Sequence, residues 1–112
     1  MDLDAYLISA RRTVNPALNE RDRMVDAAAG MAEEAAEVLG LVRKRAFQNR
    51  DVARERLVEE LGDVLWCLAI TADALGVSLN EVAKANVAKL VERHPGGFAP
   101  RGPEDWNRSL KE

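Results

Sequence analysis

The feature that most narrows what this chain can fold into is a long run of helical periodicity from Asp22 to Phe47. Met24, Ala28, Met31, Ala35, Val38 and Val42 recur at alternating spacings of four and three, as on the buried stripe of an amphipathic helix. The polar stretch RKRAFQNRD then breaks the pattern. Asp51 follows as an N-cap for another helix running to Ala74 or Leu75, with Gly76 in the C-terminal stop position. Two long helices around one short connection imply an antiparallel hairpin. Gly30 and Gly40 each weaken the first of them by up to about 1 kcal/mol relative to alanine, which points to close approach of another helix or a ligand at both positions.

Two shorter helices complete the reading. Leu3, Tyr6, Leu7 and Ala10 share one helical face, and that segment closes near Asn15 and Pro16, because proline disfavours helix in the residue before it. Ser78 and Glu81 match a capping box, so a fourth helix runs from Leu79 to about Arg93 and is ended by His94, Pro95, Gly96 and Gly97. The tail GFAPRGPEDWNRSLKE has turn chemistry with Phe98 and Trp106 as its anchors, so residues 1–98 read as one domain and residues 99–112 as a partly ordered arm. A chain that is 47% hydrophobic, 31% charged and only 4% aromatic suits an all-α unit of four helices and not a sandwich. Val64 to Ala72 reads VLWCLAITA, apolar around the whole helix, and in so small a domain a partner subunit is the natural cover.

Several function classes are disfavoured at once. A net charge of -3 with no basic stripe argues against binding a nucleic-acid backbone. Cys67 is the one cysteine, so no intrachain disulfide can form, and its apolar neighbours make it a small core residue suited to a reducing cytoplasm. The opening MDLDAYLISARR places acids where a signal peptide needs basic residues, and no apolar run reaches the roughly 18 residues of a membrane span. A soluble cytoplasmic protein is expected. There is no GxxxxGK[ST] phosphate loop, so phosphate chemistry here has to use metal.

Four acids carry the chemistry. Glu34 and Glu37 lie three apart in line with Ala27, Gly30 and Leu41; Glu60 and Asp63 lie three apart in line with Cys67, Ile70 and Ala74. Either pair alone reads as an ordinary solvated helix face. Together they sit at similar distances on either side of one turn, border apolar surfaces, and lie opposite the solvated Arg43, Lys44, Arg54 and Arg56. Two carboxylates about 4 Å apart repel by roughly 4 kcal/mol at an effective dielectric near 20, so four together call for cations. Hard oxygen donors select Mg2+, with Mn2+ able to take its place. A di-iron bundle would need histidines three residues after glutamates, whereas the one histidine, His94, sits in a helix-ending position. An all-oxygen site favours Lewis-acid chemistry on phosphate.

The string EEAAEVLG, followed by EELGDVLWCLAITADALGVSLNEV and NVAKLVERHP, resembles the MazG-like all-alpha nucleoside triphosphate pyrophosphohydrolases over about residues 24–98. The matching parts are Glu34 and Glu37, Glu60 and Asp63, and Asn86 with Lys89 on the fourth helix. The resemblance implies Mg2+-dependent cleavage of a (deoxy)nucleoside triphosphate to the monophosphate and pyrophosphate. In that scheme the four carboxylates hold metal, and Glu34 or Glu37 also takes the proton from the attacking water. Asn86 and Lys89, with Arg93 one turn beyond, bring an amide and cations to the phosphates; without the family Lys89 would read as a surface lysine. Glu33, about 100 degrees around the helix from Glu34, is solvated or supports the site from behind. Such proteins form homodimers or homotetramers with sites at or near subunit interfaces and serve in nucleotide-pool control. Two other readings stay open: a dUTPase-like or nucleoside diphosphate preference on the same fold, and a non-catalytic acidic module that binds a basic protein or a regulatory ion.

Overall fold

Four α-helices and no strand are found among residues 1–100, which are the residues the computed structural model describes. They are α1 (Leu3–Arg11), α2 (Glu20–Phe47), α3 (Arg54–Leu75) and α4 (Leu79–Arg93). Trp106 and the rest of the expected arm past residue 100 lie outside the described residues.

Local chemistry sets each boundary. Asp2 caps α1 by accepting from the Ala5 N–H at 2.8 Å, and Asn19 caps α2 by accepting from the Asp22 N–H at 2.8 Å. The second helix therefore begins at Glu20, two residues before the position expected from periodicity. Asn49, in the left-handed region at φ 52, turns the chain out of α2, and the Arg50 N–H bonds back to the Lys44 carbonyl at 3.1 Å. Asp51 is not the N-cap of α3. Ala53 holds that position with extended backbone and no side-chain cap bond, because the chain stays non-helical for two residues beyond Asp51. Gly76 ends α3 as expected: at φ 84 it lets the Val77 N–H reach the Ala72 carbonyl at 3.0 Å. Ser78 accepts from the Glu81 N–H at 3.0 Å at the start of α4.

Helices α2 and α3 pack along their length and α1 packs on α3. Gly30 meets Cys67, Glu37 approaches Glu60 and Arg23 approaches Asp73; as the number rises on one helix it falls on the other, so the hairpin is antiparallel. Leu7 and Ala10 of α1, Ala27 of α2, and Ala69, Ile70 and Ala72 of α3 form the core. Its many alanines bring the backbones close, and Ile70, 1% exposed, contributes about 2 kcal/mol by burial.

The face that α2 turns inward differs from the expected stripe. Ala27 and Leu41 are buried and Gly30, Met31, Glu34 and Val38 half-buried, whereas Ala28 and Ala35 are exposed and Val42 is 42% exposed. The line through the acids is thus the contact line. Apolar residues cover a wide arc of α2, and α3 settles on the part where Ala27 and Gly30 present the least bulk. Gly30 accordingly meets its neighbour closely, since a Cβ at this position would lie 3.0 Å from Cys67 Sγ, but a Cβ at Gly40 would meet nothing within 4 Å. Close approach at Gly40 is therefore not found.

The cover expected from a partner over VLWCLAITA comes largely from α1 and α2 of the same chain, since no residue from Val64 to Ala74 is exposed. Exposed apolar side chains lie elsewhere, among them Val25 and Leu39 on α2 and Val58 and Leu61 on α3. By its contacts the chain divides into two compact units, Met1–Val82 and Ala83–Glu112. In the second, Val87, Leu90 and Val91 of α4 are exposed, and the Gly97 N–H bonds the His94 carbonyl at 2.9 Å. No single helix among the described residues is long and apolar enough to cross a membrane.

Candidate metal centre

The antiparallel register brings the acid pairs together in mid-hairpin. One carboxylate oxygen from each of Glu34, Glu37 and Glu60 lies within 4.8 Å of the others. Asp63, a turn beyond Glu60, stands outside this triad. It is exposed and lines the adjoining cleft together with Glu34. Three of the four expected carboxylates thus converge and the fourth flanks them.

Electrostatics at the triad are unfavourable as it stands. Glu34 and Glu60 are half-buried, the Glu60 side chain being 12% exposed, while Glu37 reaches solvent. The Oε2 atoms of Glu34 and Glu60 are shielded from solvent with no hydrogen-bond partner. The Glu60 carboxyl is pushed up to about 7, first by burial and then by the nearby carboxylates of Glu37, Glu34 and Asp63. Among the described residues, Arg56 comes within ion-pair distance of the triad, its Nε 3.8 Å from Glu60 Oε1. Arg56 therefore does not lie opposite the acids as expected, but reaches forward one turn along α3 to Glu60. At that distance it leaves the buried oxygens unsatisfied. Crowded carboxylate oxygens, two of them shielded and without a partner, fit a hard divalent cation.

Beyond the triad, away from the hairpin turn, a cleft of about 370 Å³ opens along the α2–α3 groove. Gly30 and Cys67 lie at its floor, Asp26, Glu33 and Asp63 at its edge, and Trp66 forms one wall. Burial pushes the Cys67 thiol up, and the charges of Glu34, Asp63, Asp26 and Glu33 add to this, so it stays protonated. Tyr6 of α1 is close enough that its hydroxyl is pushed up by burial and then by the Asp63 charge. Glu33 is exposed at the cleft edge, in keeping with a solvated or supporting role. Asp26 is not among the acids expected at the site. Its spacing of four and eight residues from Gly30 and Glu34 nevertheless places all three on one face, a signal that the sequence does carry.

The same groove continues to Asp73, which pairs with Arg11 through Nε at 3.0 Å and through Nη2, and lies 3.8 Å from Arg23 Nη2. This ion cluster fastens α1 and α2 to α3. Asn86 and Lys89 are exposed on α4 and Arg93 half-buried near its end; all three belong to the second compact unit, and the acids belong to the first.

Comparison with known proteins adds the family. Residues 25–98 match the family model described as the MazG nucleotide pyrophosphohydrolase domain. The chain is 32% identical over 106 residues to the Gene 37 protein of Mycobacterium phage L5, covering 87% of this chain and 92% of the phage protein. It is also 47% identical over 45 residues to the uncharacterized protein YvdC of Bacillus subtilis (strain 168), where the match spans 40% of this chain and 42% of YvdC. No solved structure matched. A helical hairpin with converging glutamates, a family match over most of the sequence and a phage relative aligned nearly end to end agree: the chain belongs to the MazG nucleotide pyrophosphohydrolase domain family.

Proposed function

We propose that the protein is a Mg2+-dependent pyrophosphohydrolase of (deoxy)nucleoside triphosphates, releasing the monophosphate and pyrophosphate, with Mn2+ able to replace Mg2+. The observation that carries this reading is the convergence of the Glu34, Glu37 and Glu60 carboxylates with two shielded oxygens left unpartnered. Glu34, Glu37 and Glu60 would hold the metal from both helices of the hairpin, and Asp63 would add a ligand from the flank. When bound, Mg2+ supplies Lewis-acid neutralisation of phosphate charge. Glu60 would serve as a ligand in its deprotonated form, and Glu34 or Glu37 would accept the proton of the attacking water. Asn86, Lys89 and Arg93 bind the phosphates. The working form is a cytoplasmic homodimer or homotetramer that serves nucleotide-pool control.

The test is a panel of (d)NTPs with Mg2+, assayed for monophosphate and pyrophosphate. Turnover of at least one member is expected, and Glu37→Ala and Asp63→Ala should abolish it with helicity intact. No turnover at generous enzyme concentration would return the acidic face to a binding role.

A further inference from the structure

Resting on the reading of the carboxylate triad as the phosphate site, we propose that the indole of Trp66 is the platform against which the substrate's nucleobase stacks, and that Thr13 is the residue that positions it. Asp63 and Trp66 lie three residues apart on α3, and both line the cleft that Glu34 of the triad also lines. At a rise of about 1.5 Å per residue, Trp66 stands about 9 Å along the axis from Glu60. A ribose bridges a gap of that order between phosphates and base. One cleft is lined by both Glu34 of the triad and Trp66, which among the described residues is the one aromatic side chain lining it; the charged groups there are the carboxylates of Asp26, Glu33, Glu34 and Asp63.

The ring is also held in place. Trp66 is half-buried and packs against the core cluster, so one side is backed by protein. Its Nε1–H donates to Thr13 Oγ1 at 2.8 Å, and the Thr13 hydroxyl donates in turn to the Ala10 carbonyl at 2.7 Å. This relay ties the indole to the end of α1 and uses its only polar hydrogen. What remains for a ligand is the π surface, and stacking on it is tolerant of base identity. The alternative along the groove is the hollow at Arg11, Arg23 and Asp73. Asp73 lies about 20 Å along α3 from Glu60 at the same helical rise, beyond the reach of a base whose phosphates sit at the triad. Its carboxylate and the Arg11 guanidinium are also already paired.

The experiment uses the full chain in a Trp106→Phe background, which leaves Trp66 as the sole tryptophan. With Mg2+ present, non-hydrolysable α,β-imido analogues of the four dNTPs should change Trp66 emission saturably, and tripolyphosphate, which has no base, should not. Trp66→Leu should raise KM by about ten- to a hundredfold for every base turned over. Its kcat should stay within a few-fold, and inhibition by tripolyphosphate should be unchanged. Thr13→Val, which cannot accept the indole N–H, should raise KM at constant kcat, and Thr13→Ser should restore it. Should Trp66→Leu not fold, Trp66→Phe and the emission titration carry the test. Nucleotide-independent emission, or a KM within twofold of wild type in the Trp66 variants, would overturn the platform. Wild-type turnover measured alongside reads the proposed activity separately: an active wild type with an unchanged Trp66→Leu removes the platform alone. In an inactive wild type the emission titration still decides whether nucleotides reach the ring.

Discussion

Replacing Gly30 by alanine adds one methyl group where α2 meets Cys67 of α3. A Cβ there lies 3.0 Å from Cys67 Sγ, inside the distance at which carbon and sulfur rest comfortably, whereas the same group at Gly40 meets nothing within 4 Å. Both substitutions remove a helix-interior glycine, which by itself stabilises by up to about 1 kcal/mol. At Gly40 that gain should appear undiminished. At Gly30 it is opposed by overpacking, typically about 1–3 kcal/mol when a well-filled contact must spread. The net change at Gly30 is then a loss of about 0–2 kcal/mol, and the two alanines should differ by about 1–3 kcal/mol. Cys67→Ala removes the opposing sulfur, so in that background Gly30→Ala should become stabilising. The double-mutant cycle should return a coupling of about 1–3 kcal/mol. Urea unfolding at one fixed protomer concentration measures all of these, because association shifts apparent stability. Equal gains at positions 30 and 40, or independence of the Gly30 effect from Cys67, would mean that the helices do not meet there as described.

Further outcomes follow from the triad and the caps. In metal-free protein the folded state holds a proton on Glu60 up to about pH 7, one that the unfolded chain releases in the ordinary carboxylate range. Stability should therefore fall as pH rises between those values, and Glu60→Gln should flatten the fall, both read by thermal melts from pH 5 to 8. Added Mg2+ has to displace that proton, so its stabilising effect should be small at pH 5 and grow through pH 7; pH-independent metal stabilisation would remove Glu60 from the ligand set. Chelation by EDTA should abolish turnover reversibly. Asn19→Ala should cost about 1 kcal/mol through loss of the α2 cap, while Asp51→Ala should be within about 0.5 kcal/mol of neutral, since Asp51 caps nothing; the opposite ranking in urea would restore Asp51 as the cap.

Helix number and type were legible in the chain because they depend on local chemistry. Spacings of three and four, Gly76 at a left-handed stop and Ser78 three residues before Glu81 act over a single turn. The acid pairs were legible for the same reason, and the MazG-like resemblance drawn from them agrees with the family match over residues 25–98. Boundaries were less so: Asn19 and Asp51 are both acceptable cap residues, and only the course of the chain decides which side chain meets an open amide.

The sequence by itself determined four helices, a hairpin and two carboxylate pairs with helical spacing. The tertiary structure decided which arc of α2 faces α3, and with it everything that depends on rotation about a helix axis. Ala28 and Val42 turn outward, while Glu34 and Glu60 turn in with oxygens unpartnered, and Asp63 stands aside from the triad. It also placed Trp66 beside the acids and tied it to Thr13, a contact between α3 and the turn after α1. The physical reason is that periodicity fixes which residues share a face, but an arc of small apolar residues wider than one contact leaves the choice of face open. That choice places Gly30 tightly against Cys67, and such a fit is a property of the pair of helices, which neither sequence segment carries alone.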